Sequence, residues 1–134
     1  MASISEMHWV AGLLEGEGCF HHCMNGNGLT DRKYFQVTIQ LVMTDKDVVE
    51  RAAKILGSKC RTQVWKTKGN KAVYRTNVHG PRAIGWMMTL HPLMASRRKA
   101  RIAECITKWR TSGGKTDMGK YSRRFMPQEV VYGR

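Results

Sequence analysis

Trp9-Val-Ala-Gly-Leu-Leu-Glu-Gly-Glu-Gly-Cys-Phe20 is an apolar run that ends in two carboxylates, Glu15 and Glu17, each followed by glycine. Upstream, Ser3-Ile-Ser-Glu6 has the form of a capping box, with a hydroxyl at the cap and a carboxylate three residues on. Apolar Met7, Trp9, Val10, Leu13 and Leu14 follow at helical spacing, so a first helix is expected over about residues 4–16. After Gly18 the period drops to two: Phe20, His22 and Met24 fall on one face, Cys19, His21 and Cys23 on the other. Asn25-Gly-Asn-Gly28 reads as the turn that closes this strand.

Downstream, Phe35, Val37, Ile39, Leu41 and Met43 alternate with Tyr34, Gln36, Thr38 and Gln40, the pattern of a strand with one core face and one uncharged polar face. Thr44-Asp-Lys-Asp47 opens a second helix, carried by Val48, Val49, Ala52, Ala53, Ile55 and Leu56 and ended by Gly57. Residues 59–68 and 72–79 read as a second strand pair joined across Lys68-Gly-Asn-Lys71. Pro81 starts a third helix that runs through Leu90. Pro92 breaks it, and a fourth helix is expected from about Leu93 or Ser96 to Arg110. The resulting order, αββαββαα, places a two-stranded hairpin on each side of a helix and describes an α+β domain over residues 1–110. Residues 111–134, with Lys115, Lys120, Arg123 and Arg124 among small and polar residues, read as a basic tail.

A chain of 134 residues fits one domain, long enough to bury about two thirds of its extended surface. Its 23 Lys and Arg against 10 Asp and Glu leave a formal charge of +13, a field that attracts polyanions, of which nucleic acid is the commonest. The apolar runs are interrupted within about a dozen residues, too short to span a bilayer, so no membrane partner is expected. No secretory signal is visible at the start, and Cys19, Cys23, Cys60 and Cys105 form no CxxC pair, which reads as reduced thiols in a cytosol-like compartment. The cluster Cys19-Phe-His-His-Cys23 suggests zinc, but ligands spread along a strand at about 6.6 Å per two residues close poorly around one tetrahedral ion.

Val10-Ala-Gly-Leu-Leu-Glu-Gly-Glu-Gly18 resembles the LAGLIDADG motif of homing endonucleases at all nine positions, and the element order along about residues 5–110 is similar to that family's. One copy of the motif is present, which in that family implies a homodimer. The motif's physics points the same way. Small residues Ala11, Gly12 and Gly16 let two such helices approach closely, with Trp9 and Leu13 beside them, and a two-fold axis would bring both helix C-termini together. Glu17 and a nearby carbonyl, that of Gly16, would then make a hard-oxygen site suited to Mg²⁺, and two neighbouring sites suit hydrolysis of both strands of a duplex. The resemblance assigns the metal to Glu17 and leaves Glu15 to end the helix or meet the interface.

The resemblance further implies a saddle-shaped antiparallel sheet whose outward side chains lie in the major groove. On the first hairpin these are His21, Cys23, Gln36, Thr38 and Gln40. On the second, Arg75 and Asn77 face out opposite Tyr74, Thr76 and Val78, while Arg61, Gln63, Lys66 and Lys68 serve bases or phosphates; Gln at adenine and Arg at guanine are suited chemically. Trp65 reads as packing. Relatives place a basic residue at the start of the helix after the proline break, which aligns with Arg97 and next Lys99; their frequent Lys-x-x-Gln spacing is absent, since Ala100 follows Arg97 at that spacing. Asp45 aligns with a position that supports the water network in some relatives. The implied activity is Mg²⁺-dependent, double-strand, site-specific cleavage of a long, pseudo-palindromic DNA, without a small-molecule cofactor. The competing readings are an intron-splicing maturase or non-cleaving nucleic-acid-binding protein of the same fold, and a basic ribonucleoprotein component.

Overall fold

A computed structural model describes residues 2–26, 33–66, 69 and 71–112. Lys68, the turn beyond Gly26 and the tail beyond Ser112 lie outside the described residues. Helix α1 (Ile4–Glu17) starts at the expected capping box: Ser3 Oγ accepts from the Glu6 amide and the Ser3 amide donates to Glu6 Oε1, each at 3.1 Å. Strand β1 (Gly18–Gly26) follows without a loop, then β2 (Lys33–Met43), α2 (Lys46–Leu56), β3 (Arg61–Trp65), β4 (Lys71–His79), α3 (Gly80–Leu90), a 3₁₀ turn (His91–Leu93) and α4 (Ser96–Thr111). Gly57 ends α2 in the left-handed region at φ 72°, where a side chain would be strained.

The two hairpins expected on either side of α2 are one sheet, ordered β1-β2-β4-β3 and antiparallel throughout. They join because β2, apolar on alternate residues along its whole length, pairs with β1 on one edge and β4 on the other. The second hairpin is shorter than the sequence suggests: β3 begins at Arg61, opposite Arg75. All four helices cover one face. Val10 and Leu14 of α1, Phe20, Val37, Ile39, Leu41 and Val78 of the strands, and Ile84, Met87 and Ile102 of α3 and α4 form a common core.

Gly18 permits the direct passage from α1 into β1. A Cβ there would lie 2.7 Å from both Leu14 Cδ2 and the Leu14 carbonyl oxygen, so no larger residue fits beneath the helix end.

Candidate nucleic-acid interface and acidic helix end

The sheet register sorts the strand residues by face. Opposite the helices, Cys19, Gln40 and Asn77 form one cross-strand row; His21, Thr38 and His79 form the next; Val42, Arg75 and Arg61 form a third, and Cys23 pairs with Gln36. Gln63 and Trp65 lie on this same face, with Lys66 immediately beyond. The four strands contain no Asp or Glu, so the open face presents cations, amides and imidazoles without an opposing carboxylate on the strands themselves. An anionic polymer laid on it meets no like charge from the strands.

One residue on this face departs from expectation. Thr38 is buried at 2% exposure, because His21 and His79 flank it across the strands and its hydroxyl shares a hydrogen bond with His79 Nδ1 at 3.1 Å. It lies on the open face but is covered there, and it bonds His79, a residue the sequence reading missed. Trp65, expected to pack, is half-buried on this face, opposite Lys71.

Glu15 and Glu17 separate sharply. Glu15 turns toward α4: the Ala95 amide, at the cap of α4, donates to its carboxylate at 2.5 Å, and Arg98 Nε lies 3.6 Å from that carboxylate while donating to the Glu15 carbonyl at 3.1 Å. An acid is thereby placed at the positive end of α4, and a cation at the negative end of α1. Glu17 is exposed and, among the described residues, forms no hydrogen bond or ion pair. Two of the last carbonyls of α1 are taken within the chain, Leu14 by the Gly18 amide and Glu15 by Arg98. The end of α1 has no basic residue of its own. Glu17 therefore adds negative charge to the negative end of a helix, which costs about 0.3–1 kcal/mol unless a cation compensates.

The basic residue that touches this helix end is Arg98, not Arg97 or Lys99. Arg97 is exposed on the first turn of α4, Lys99 is half-buried, and Asp45 is the exposed cap residue of α2. The signal for Arg98 was present, since Arg98, Arg101, Ile102, Cys105 and Trp109 share one helical stripe. Arg101 confirms that the stripe faces inward: its Nε donates to the Phe20 carbonyl at 2.8 Å and its Nη1 to Glu104 at 3.1 Å. Glu104 also meets His22 Nε2 at 3.1 Å, and these two bonds hold its carboxyl below the usual range.

The motif's small residues also divide. Ala11, expected at an interface between chains, is 3% exposed and belongs to the core, because it follows Val10 on the inward side of α1. Trp9 packs on the core and lies under Arg51 of α2, whose guanidinium carbon is 4.0 Å from the ring centroid; Leu13 is half-buried there. Gly12 and Gly16 are exposed, and a Cβ at either would meet nothing within 4 Å. They are not glycine for packing inside this chain.

All four cysteines are free, with Cys105 buried and pushed up to about 11 by that burial. Among the described residues no three His, Cys, Asp or Glu gather as a metal site, and none of the helices is long and apolar enough to cross a membrane.

No protein-family model matches the chain, and no curated protein matches it. Solved structures do. The homing endonuclease I-CvuI in complex with its target matches at a TM-score of 0.59 and 19% identity, over 74% of this chain and 62% of that one. The group I intron-encoded homing endonuclease I-CeuI, complexed with DNA, matches at 0.61 and 9% identity over 96% and 70%. The LAGLIDADG homing endonuclease I-GzeII, with its DNA target, matches at 0.61 and 16% identity over 92% and 43%. The chain thus spans about three fifths of I-CvuI and under half of I-GzeII. With its helices on one face of a β1-β2-β4-β3 sheet and its motif at the end of α1, the chain has the fold of the LAGLIDADG homing endonucleases.

Proposed function

We propose that the protein is a divalent-metal-dependent, site-specific DNA endonuclease that cuts both strands as a homodimer. The observation that carries this reading is Glu17, an exposed carboxylate at the negative end of α1 with no partner among the described residues. This carboxylate and the Gly16 carbonyl would hold a hard cation, Mg²⁺, which would offset the unfavourable charge. Bound there, the metal supplies an activated water and charge neutralisation at the phosphate.

The chain's own residues do the rest. Glu15 and Arg98 fix the junction of α1 and α4, so that Glu17 is held on a rigid helix end and Arg97 stands on the adjoining turn. Arg97, always ionised, acts as an electrostatic clamp on the phosphate, and it is a poor proton donor. His21, Gln36, Gln40 and Gln63 on the open face read base edges. Exposed Gly12 and Gly16 form the face on which a second copy sits, pairing two Glu17 carboxylates across the duplex.

The test is cleavage of a plasmid library carrying the DNA that flanks the insertion site of the gene, with purified protein and Mg²⁺. Wild type is expected to linearise the plasmid, and Glu17→Gln to lose cleavage by at least about 10³-fold while binding DNA with unchanged affinity. Binding without cleavage by the wild-type protein would instead favour a maturase or regulator of the same fold.

A further inference from the structure

The edge of the sheet beside β4 carries a second site. Because β3 starts at Arg61, opposite Arg75, residues Thr76–His79 of β4 have no strand partner on that side. The segment from Gly57 to Cys60 passes this edge and leaves a cleft of about 380 Å³. Lys59, Arg61, Arg75 and Arg82 line it with Asn77 and His79, and no carboxylate does. Among the described residues none of the four cations has an acidic partner.

One wall is anchored. Arg82 Nη2 donates to the Leu56 and Gly57 carbonyls at 3.1 and 2.6 Å, which closes the C-terminal end of α2 and anchors the guanidinium. Arg75 Nε is a buried donor, and Asn77 Oδ1 a buried acceptor, each without a hydrogen-bond partner. Four convergent cations, one of them with an unmet buried donor, make a receptor for a compact oxyanion, since such a group supplies both the missing acceptor and the opposing charge.

We infer that this cleft binds a phosphate group, and that in the complex it holds one backbone phosphate of the nucleic acid. The inference rests on the proposed function for the identity of the polymer; it moves Arg75 from reading bases to fixing register and, of the two roles expected for Arg61, takes the phosphate. A phosphate seated here pins the duplex at one end of the His21-Thr38-His79 row while contributing no sequence preference.

Two measurements on the full chain test it. In the first, inorganic phosphate is titrated into wild-type protein and followed by amide NMR; saturable shifts are expected at Ser58, Lys59 and His79, and their absence would overturn the site. In the second, DNA affinity is measured without Mg²⁺ across salt concentrations for wild type and the double variant Lys59→Gln/Arg61→Gln, both exposed positions. The slope of log K against log[salt] should shrink by about 0.9 per protomer, equally for all sequences. Phosphate shifts with an unchanged salt slope would overturn the backbone assignment, as would a loss confined to one base pair of the target. If wild type binds no DNA at all, the proposed function fails, while the phosphate titration still decides the cleft.

Discussion

Two histidines on the open face show how position alters an ordinary side chain. Burial chiefly, and then the charge of Arg101 for His21 and of Arg61 for His79, pushes both below the ordinary imidazole value. The folded protein therefore binds these protons less readily than the unfolded chain. Their contribution to stability is present above about pH 6.5, the unfolded value, and is lost as pH falls through the lower folded value. The urea midpoint of wild type is expected to drop between pH 7 and 5, and that of His79→Gln, which keeps a hydrogen-bonding end for Thr38, to drop less. Equal slopes would show that His79 does not carry the effect. Glu6 and Glu104 are both lowered from 4.5 and so titrate below this window.

At the scale of elements, the junction of α1 and α4 depends on one carboxylate. Glu15→Ala leaves the Ala95 amide without its acceptor and removes the carboxylate beside Arg98, which keeps only the residue 15 carbonyl, a loss of about 1–3 kcal/mol in denaturant unfolding. Glu17→Ala, two residues away, removes a charge that opposes the helix dipole and has no partner. Stability should then be unchanged or raised by less than about 1 kcal/mol. A comparable loss in both variants would contradict this division of roles. Arg101 and Glu104 tie the same helix to β1 further along, so the α4 stripe serves as a brace for the motif helix and the first strand together.

At the scale of the whole molecule, Gly12 and Gly16 leave a flat strip on α1 that the chain's own packing does not use. Gly12→Ala should not destabilise the monomer and, by helix propensity, should stabilise it by up to about 1 kcal/mol. The bulkier Gly12→Leu meets no atom of its own chain at Cβ, yet would hold two α1 helices apart. In sedimentation it should convert dimer to monomer, with DNA cleavage lost. A Gly12→Leu protein that remains a cleaving dimer would mean that the subunits meet elsewhere.

The element order, the capping box at Ser3 and Glu6, the αL glycine at 57 and the faces of β1 and β2 were all legible in the sequence, because each is set by local period or local backbone preference. The motif's resemblance set Glu15 apart from Glu17 by role, but the contacts of Glu15 with Ala95 and Arg98 were not legible. Tertiary structure decided the rest. Ala11 and Gly12 are adjacent small residues in one motif, and nothing local tells which faces the core; the sheet beneath α1 does. Arg97 and Arg98 are likewise neighbours, and the meeting of the end of α1 with the start of α4 selects Arg98 to meet Glu15. Thr38 is buried only because β2 lies between β1 and β4, an ordering of strands far apart in the chain. Periodicity reports which residues share a face, whereas what covers that face is fixed by contacts between distant segments.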